Sequence, residues 1–215
     1  MKTRKTPDEI LKTGAKPATS YHHGNLERGL IDRATEVIAN QGVEHLTLRL
    51  LGEELGVSRS ALYRHFPDKQ TLLVRVAEEG FVRFGDALDA ARASKSAEDV
   101  FVRMGRAYFD FARQNPGHYR VMFDTTVLKK ANSAKVHAAA KRPLACLVDE
   151  VVKDTPETDK DRATLIETRV SGLWSLLHGY SMLAINGHLA GTSSSVAKSM
   201  VASVLYLLQG QRSSR

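Results

Sequence analysis

The residues best suited to bind a ligand through hydrogen bonds and charge lie between positions 47 and 69. They carry hydroxyl, phenol, imidazole, guanidinium or ammonium groups, and they are Thr47, Arg49, Ser58, Arg59, Ser60, Tyr63, Arg64, His65 and Lys69. Groups of these types contact base edges and phosphates in the major groove of DNA. The set therefore predicts recognition of double-stranded DNA.

Position along one short helix separates the predicted roles of these side chains. Arg59 and Ser60 lie nearest its start, which is the end that usually enters the groove. The other side chains are spaced for phosphates on either side of the groove: Tyr63, His65, Lys69 and Arg49. Two assignments have simpler alternatives, because Arg64 could be a solvated surface residue and His65 could simply pack.

Two short helices joined by a tight turn are needed to position these groups. Thr47 and Ser58 are suited to cap the two helices, and Phe66-Pro67 ends the second because the residue before proline avoids helical angles. Gly52 allows the helices to cross closely, and Gly56 suits the left-handed angle of the turn. This pattern predicts a helix-turn-helix over about residues 47–66.

The alternative is a pair of ordinary amphipathic helices in a bundle. Such a pair would not place several small, capping and apolar residues in mutual register, as this stretch does with Gly52, Gly56, Ser58, Leu62, Tyr63 and Phe66. We therefore favour the helix-turn-helix.

Helical periodicity continues on both sides of this motif. One helix is predicted from Asn25 to the Asn40-Gln41-Gly42 stop, and a long one from Asp68 to about Ala93. Later stripes occupy about 100–111, ended by Asn115-Pro116-Gly117, and 136–151, with Pro143 as a kink. The segments around 160–188 and 194–209 are apolar on more than one face, which predicts two packing partners for each. No long alternating segment predicts a strand.

The predicted fold is therefore all-α. An N-terminal three-helix helix-turn-helix domain is joined by the long helix to a C-terminal helical bundle. We divide the chain into a flexible basic arm (1–20), a DNA-binding domain (21–75) and a C-terminal helical domain (76–215). The arm either enters the minor groove or serves only solubility.

Composition narrows the class of protein. The chain has 215 residues, 42% hydrophobic residues, one cysteine and a net charge of +7. This composition excludes a wholly disordered chain and an internal disulfide, and no apolar run is long enough for a membrane span. A cytoplasmic location is expected. Residues 1–80 hold 12 basic and 11 acidic groups, so most of the excess charge lies outside the predicted DNA-binding domain.

The chain resembles the TetR family of bacterial transcriptional regulators. The stretch Gly56–Phe66, followed by Lys69 and Leu72, is similar to the family signature, and Tyr21–Leu26 is similar to the lead-in of one subgroup. Trp174–Gly179 resembles a Trp-His-Gly motif of that subgroup's effector domain. The resemblance implies a homodimeric, ligand-responsive repressor with a variable helical pocket. It also implies that residues 76–215 form the ligand-binding and dimerisation domain. We expect the last two long helices, about 160–188 and 194–209, to form the dimer.

A ligand pocket is predicted around Trp174 and His178, which lie one turn apart on the same helical face. Tyr119, Met122 and Phe123 offer further aromatic and soft apolar surface, and His178 would fix the ligand's orientation. The alternative is a core tryptophan beside a hydrogen-bonded histidine. Two further features have similar alternatives. Cys146 is either a redox sensor or a small core residue. The His22-His23 pair suggests a metal site, but no third ligand follows at a recognisable spacing, so we favour structural capping or a phosphate contact.

We therefore expect a sequence-specific regulator, a repressor that a small-molecule effector releases from a palindromic operator. The long helix is expected to act as the lever that transmits the change from the ligand pocket to the DNA-binding domain. We expect no enzyme, cofactor or metal, since the sequence has no Gly-x-Ser-x-Gly, phosphate loop, His-Glu-x-x-His or dinucleotide fingerprint. The alternatives are a non-specific architectural DNA-binding protein and a helical enzyme without a recognisable motif.

Overall fold

The computed structural model describes residues 26–131, 133–158, 160–189 and 193–210. Within these ranges the chain forms ten α-helices and no strand, so the predicted all-α fold is confirmed. The helices are α1 (Leu26–Gln41), α2 (Leu48–Leu55), α3 (Arg59–His65), α4 (Lys69–Ala93), α5 (Val100–Gln114), α6 (Pro116–Met122), α7 (Thr125–Lys130), α8 (Ala134–Asp154), α9 (Arg162–Ile185) and α10 (Ser193–Gly210). The predicted arm (1–20) and residues 21–25 lie outside the described residues.

Local capping signals set the ends of the helix-turn-helix. The Thr47 hydroxyl accepts a hydrogen bond from the Leu50 amide at 3.1 Å, and the Ser58 hydroxyl accepts one from Ala61 at 3.3 Å. Gly56 ends α2 in the left-handed conformation with φ of 64°, which glycine adopts without a Cβ penalty. The predicted boundaries of α1 to α4 are confirmed to within about one residue.

Two helices of the C-terminal part were not predicted. The sequence pattern predicts a terminating turn at Asn115-Pro116-Gly117, but Pro116 is the first residue of α6. Its missing N–H costs nothing there, because an amide at this position has no partner within the helix. Asp124 then starts α7, and its carboxylate accepts hydrogen bonds from the amides of Thr126 and Val127. The apolar stripe predicted over about 136–151 includes Leu144, and this assignment is wrong because Leu144 of α8 is 40% exposed.

Two apolar clusters form the interior and meet along α4. The first is built from α1 to α3 and the start of α4, up to Ala77, and the second begins with Phe81 and continues through α5, α8, α9 and α10. Val121 of α6 and Val127 of α7 are buried in the first cluster. The division at about residue 75 stays a prediction, but the N-terminal core includes side chains from well beyond it.

The N-terminus of α4 provides a test of capping. The Asp68 carboxylate accepts hydrogen bonds from the amide and hydroxyl of Thr71 at 2.7 and 2.8 Å, and these bonds lower the Asp68 pKa. We expect Asp68→Ala to lower the free energy of unfolding by about 1 kcal/mol and Asp68→Asn to lower it less. Because the folded-state pKa is depressed, the stabilisation is present at neutral pH and is lost as pH falls below about 4.

Urea unfolding at pH 7 and pH 3 measures this effect. The difference between the wild type and Asp68→Ala is expected to shrink at pH 3. A difference that is equal at both values would contradict the assignment.

Candidate functional site

The exposed face of α3 carries the predicted DNA-contacting groups. Arg59, Ser60, Tyr63, Arg64 and His65 are all solvent-exposed, with Tyr63 at 41%. Leu62, on the opposite side, is 2% exposed and holds α3 against α2. The structure therefore places Arg59, Ser60, Tyr63 and Arg64 on one exposed side of α3. His65 is also exposed but lies two positions after Tyr63, on roughly the opposite side of the helix. The contacts of all five with DNA stay a prediction.

Arg59 and Tyr63 lie one turn apart and interact. The Arg59 guanidinium sits 5.6 Å from the centre of the Tyr63 ring, a cation–π distance. This contact restricts the arginine before any DNA is bound. The face thus presents a partly ordered donor group near the start of α3.

Three predicted contact residues also have structural partners. Thr47 and Ser58 cap α2 and α3, and Ser58 additionally lies 3.2 Å from the Ser60 hydroxyl. Lys69 is half-buried, and its ammonium donates a hydrogen bond to the carbonyl oxygen of Val43 at 2.6 Å. An ammonium has three donors, so this bond leaves Lys69 able to meet a phosphate while it fastens α4 to the segment before α2.

A groove of about 470 Å³ separates the exposed edges of α2 and α3. Arg49 and Glu53 of α2 line one side, and Arg59 and Tyr63 of α3 line the other. Arg49 Nε donates to the Glu53 carboxylate at 2.7 Å, and both side chains are largely exposed. The acidic Glu53 beside the exposed face of α3 was not predicted. Its negative charge repels the phosphates of approaching DNA.

Removing the charge of Glu53 is therefore expected to strengthen DNA binding. Glu53→Gln frees Arg49 and removes one repulsive charge, so we expect operator and random DNA to bind about two- to fivefold more tightly, in keeping with the roughly 1 kcal/mol limit for exposed charges. Fluorescence anisotropy at two salt concentrations measures this, and the gain should be larger at low salt. Glu98→Gln is the control, since Glu98 pairs with Arg106 in the distant α4–α5 connection. Weaker binding by Glu53→Gln would contradict the expectation.

A hydrogen-bonded aromatic cluster lies in the C-terminal part. The hydroxyls of Tyr108 and Tyr119 are 2.9 Å apart, and the Tyr119 hydroxyl is 2.8 Å from Nδ1 of His178. Burial raises the pKa of both tyrosines and lowers the pKa of His178, so all three groups are neutral near pH 7. Trp174 meets the Tyr108 ring edge-on at 5.6 Å, and Phe123 meets the His178 ring at 4.6 Å.

The structure brings together four of the five predicted pocket residues: Tyr119, Phe123, Trp174 and His178. Met122 instead packs closely over Gly80 of α4. Tyr108 was missed as a site residue because it falls on the apolar stripe of α5 and reads as core. A small cavity of about 20 Å³ adjoins the cluster and is lined by Tyr108 and Trp174 together with apolar side chains.

Cys146 has the properties of a core residue. Its thiol is buried and donates to the Asp89 carboxylate at 3.2 Å. Burial, together with the Asp89 charge, raises the pKa of this thiol to about 11. Since the thiolate is the reactive form, these surroundings favour the core alternative over a redox sensor.

Within the described ranges, no group of three or more histidine, cysteine or acidic side chains is arranged to hold a metal ion. None of the described helices is long and apolar enough to cross a bilayer.

The fold and the exposed polar face of α3 define a helix-turn-helix DNA-binding protein with an added helical domain. Family comparisons agree. Residues 30–76 match the profile described as bacterial regulatory proteins, tetR family, and residues 101–205 match the tetracyclin repressor-like C-terminal domain. This chain belongs to the TetR family of transcriptional regulators. Its members are regulators and not, in general, enzymes. The Trp-His-Gly subgroup stays a prediction.

Individual relatives show the same similarity. An uncharacterised HTH-type transcriptional regulator of Bacillus subtilis, YobS, is 25% identical over 160 residues, covering 74% of this chain and 79% of that protein. The class D tetracycline repressor from Escherichia coli is 32% identical over 130 residues, and the match spans 60% of this chain and about half of that repressor (49%). A solved structure of a protein from Rhodococcus sp. RHA1 is 30% identical with a TM-score of 0.70, over 89% of this chain and 98% of that one.

Proposed function

We propose that this protein is a homodimeric, cytoplasmic repressor that binds a palindromic operator and is released by a small-molecule effector. The observation that carries the proposal is the pairing of two sites in one chain. An exposed donor-rich face on α3 lies beside the start of α4, and a neutral aromatic cluster packs against the middle of α4, on Phe81 and Phe84. The first suits DNA, and the second suits a small ligand.

Surface composition supports a dimer through α9 and α10. Within the described ranges, a Cβ placed on Gly172 or Gly179 would meet no atom within 4 Å, so both glycines of α9 face open space in a single chain. Leu183 is 44% exposed and Tyr206 of α10 is 76% exposed. A two-fold contact between these helices would cover this surface and set the two α3 helices in successive major grooves, roughly 34–36 Å apart.

Helix α6 supports a route between the two sites. Gly117 packs directly on the Thr35 backbone of α1, and Nε2 of His118 lies 3.3 Å from the Glu79 carboxylate of α4. Glu79 in turn pairs with Arg28 of α1 at 2.7 Å. The next residue, Tyr119, belongs to the aromatic cluster. A ligand that displaces this cluster would therefore push on both α1 and the α4 lever.

Thermodynamics limits what the effector must do. The effector needs only to bind the conformation whose α3 helices no longer fit the operator more tightly than it binds the DNA-bound conformation. The ratio of these two affinities sets how much DNA affinity is lost. We expect the separation between the two α3 helices to change when the effector binds.

Selection from a random DNA pool tests operator recognition. The purified protein should enrich one palindrome and prefer it over random DNA by roughly a thousandfold or more. An architectural DNA-binding protein would enrich no palindrome and would show only a steep dependence on salt. Enrichment without a palindrome would overturn the dimeric part of the proposal.

A second experiment tests ligand control. Compounds that bind the protein are found by thermal shift, and operator affinity is then measured with each compound at saturation. We expect at least one to weaken operator binding. If every compound that demonstrably binds leaves operator affinity unchanged, the ligand switch is wrong.

A further inference from the structure

The excess positive charge of this chain is concentrated in one segment. Residues 81–215 contain 19 lysines and arginines against 13 acidic residues, a net charge of +6. Between Asp124 and Asp149 the sequence has five basic residues and no acidic one. The five are Lys129, Lys130, Lys135, Lys141 and Arg142. Almost all of the excess beyond residue 80 therefore belongs to α7 and the first half of α8.

Three of these lysines carry an uncompensated charge. Lys129, Lys135 and Lys141 are exposed, and none of them forms an ion pair within the described part of the chain. Arg142 differs, because two carboxylates of α4 neutralise it. The Asp124 carboxylate is bound to amides at the start of α7. The three free lysines therefore form a basic surface on α7 and α8.

The path of the chain brings α7 to the first turn of α4. Met122, at the end of α6, packs on Gly80 in the middle of α4. Five residues further on, the side chain of Gln70 donates a hydrogen bond to the carbonyl oxygen of Val127 at 3.1 Å. Gln70 is the second residue of α4 and follows Lys69, a predicted phosphate contact. Helix α7 therefore lies at the end of α4 that adjoins α3.

The end of α7 that meets α4 is the one that carries Lys129. The last four carbonyl groups of a helix point beyond its C-terminal end and have no partner within it, and Val127 supplies one of them in α7. Its bond to Gln70 thus turns the C-terminal end of α7 towards the first turn of α4. Lys129 follows Val127 by two residues, so this lysine lies at the same end of the molecule as the exposed face of α3.

Helix α8 leads away from this end. Arg142 of α8 pairs with Asp86 of α4 at 2.8 Å. Further along both helices, Asp149 of α8 pairs with Arg92 of α4 at 3.2 Å. The two helices therefore run parallel, and successive turns of α8 lie farther from α3.

The three lysines consequently lie at increasing distances from the DNA-binding end. Lys129 belongs to α7, and Lys135 belongs to the first turn of α8. Lys141 precedes Arg142, whose partner on α4 lies roughly 24 Å from Gln70 at about 1.5 Å per residue. That distance exceeds the Debye length of about 8 Å at physiological salt. A polyanion bound at α3 therefore interacts most with Lys129, less with Lys135 and least with Lys141.

We propose that Lys129, supported by Lys135, binds DNA phosphates next to the major-groove segment that α3 contacts. The polyanion is DNA, because this part of the basic surface lies at the same end of α4 as α3. Such a contact adds affinity without base preference, since phosphates are the same in every sequence. The inference goes beyond the proposed function, which places no residue of α7 or α8 on DNA and which depends on a palindrome and an effector.

The salt dependence of binding to a long random-sequence duplex tests this inference on the full chain. Each neutralised phosphate contributes about 0.9 to the slope of log K against log salt concentration. Lys129→Gln should therefore make the slope less steep by about one per protomer, and it should weaken binding roughly three- to tenfold at low salt. Lys135→Gln should have the same effects to a smaller extent. An unchanged slope for Lys129→Gln overturns the inference.

Two other exposed lysines are matched controls. Lys141→Gln changes the same basic surface far from α3, and Lys95→Gln changes the connection beyond the opposite end of α4. Each removes one positive charge, and both variants should keep the wild-type slope. Losses as large for these two as for Lys129→Gln would mean that binding responds only to net charge, which also overturns the inference.

Hydroxyl-radical footprinting on the selected operator locates the contact. Lys129→Gln should lose protection of the sugar–phosphate backbone at one position beside each α3 segment and keep the protection beneath α3. If the selection yields no operator, the proposed function fails and the salt slopes still decide this inference. If an operator is found and the footprint and slope of Lys129→Gln match the wild type, the inference fails and the proposed function stands.

Discussion

Arg59→Ala is expected to weaken operator binding by about 2–6 kcal/mol in a symmetric dimer, since each lost arginine–base contact costs roughly 1–3 kcal/mol and there are two half-sites. Arg59 is exposed near the start of α3, and its guanidinium lies 5.6 Å from the Tyr63 ring centre. The variant should also accept other bases at one position of each half-site. Binding to random DNA should fall much less, because base contacts contribute little there.

Anisotropy titrations on the selected operator and on random DNA measure this loss. Arg113→Ala is the matched control, since Arg113 is also an exposed arginine over an aromatic ring, Phe109, but lies on α5. Replacing Tyr63 or Lys69 should weaken binding to both DNAs alike. Equal losses on both DNAs for Arg59→Ala would show that this residue contacts only phosphates.

Gly117→Ala is expected to lower the free energy of unfolding by about 3 kcal/mol, at the upper end of the range for overpacking. A Cβ at Gly117 would lie 2.8 Å from the carbonyl carbon of Thr35, which belongs to the backbone of α1 and cannot rotate away. Alanine favours a helix by up to about 1 kcal/mol over glycine. Any loss of stability must therefore come from the clash between α6 and α1.

Gly85→Ala is the matched control for this change. Gly85 is also helical and buried, but its new Cβ would lie 2.9 Å from Cδ of Arg142, a flexible side chain that can shift. We expect its stability to change by less than about 1 kcal/mol. Similar losses for both variants in urea unfolding would mean that α6 can move away from α1 at little cost.

The helix-turn-helix could be predicted because its signals are local. Capping by Thr47 and Ser58, the left-handed Gly56 and the stop at Phe66-Pro67 act within a few residues of each helix end. The exposed face of α3 follows from the same periodicity, so its predicted side chains were placed correctly on the surface. Their contacts with DNA are untested.

The C-terminal part was harder to predict because its decisive contacts are distant in sequence. Tyr108 acquires its role from Tyr119 and from His178, which lies 70 residues away. Likewise, the Lys69 bond to Val43 spans 26 residues. Helices α6 and α7 have seven and six residues, too few turns to establish a periodicity.

The burial of Val121 and Val127 in the N-terminal core determines how this protein can be recombined with its relatives. A chimera joined within α4 would combine the N-terminal helices of this protein with the C-terminal part of a relative. Its N-terminal core would then lack Val121 and Val127 and would expose the surface that they cover. A chimera that carries α6 and α7 of this protein together with its N-terminal helices would keep that core intact. The unit that can be exchanged between regulators is therefore discontinuous in sequence, with α5 passing between its two parts.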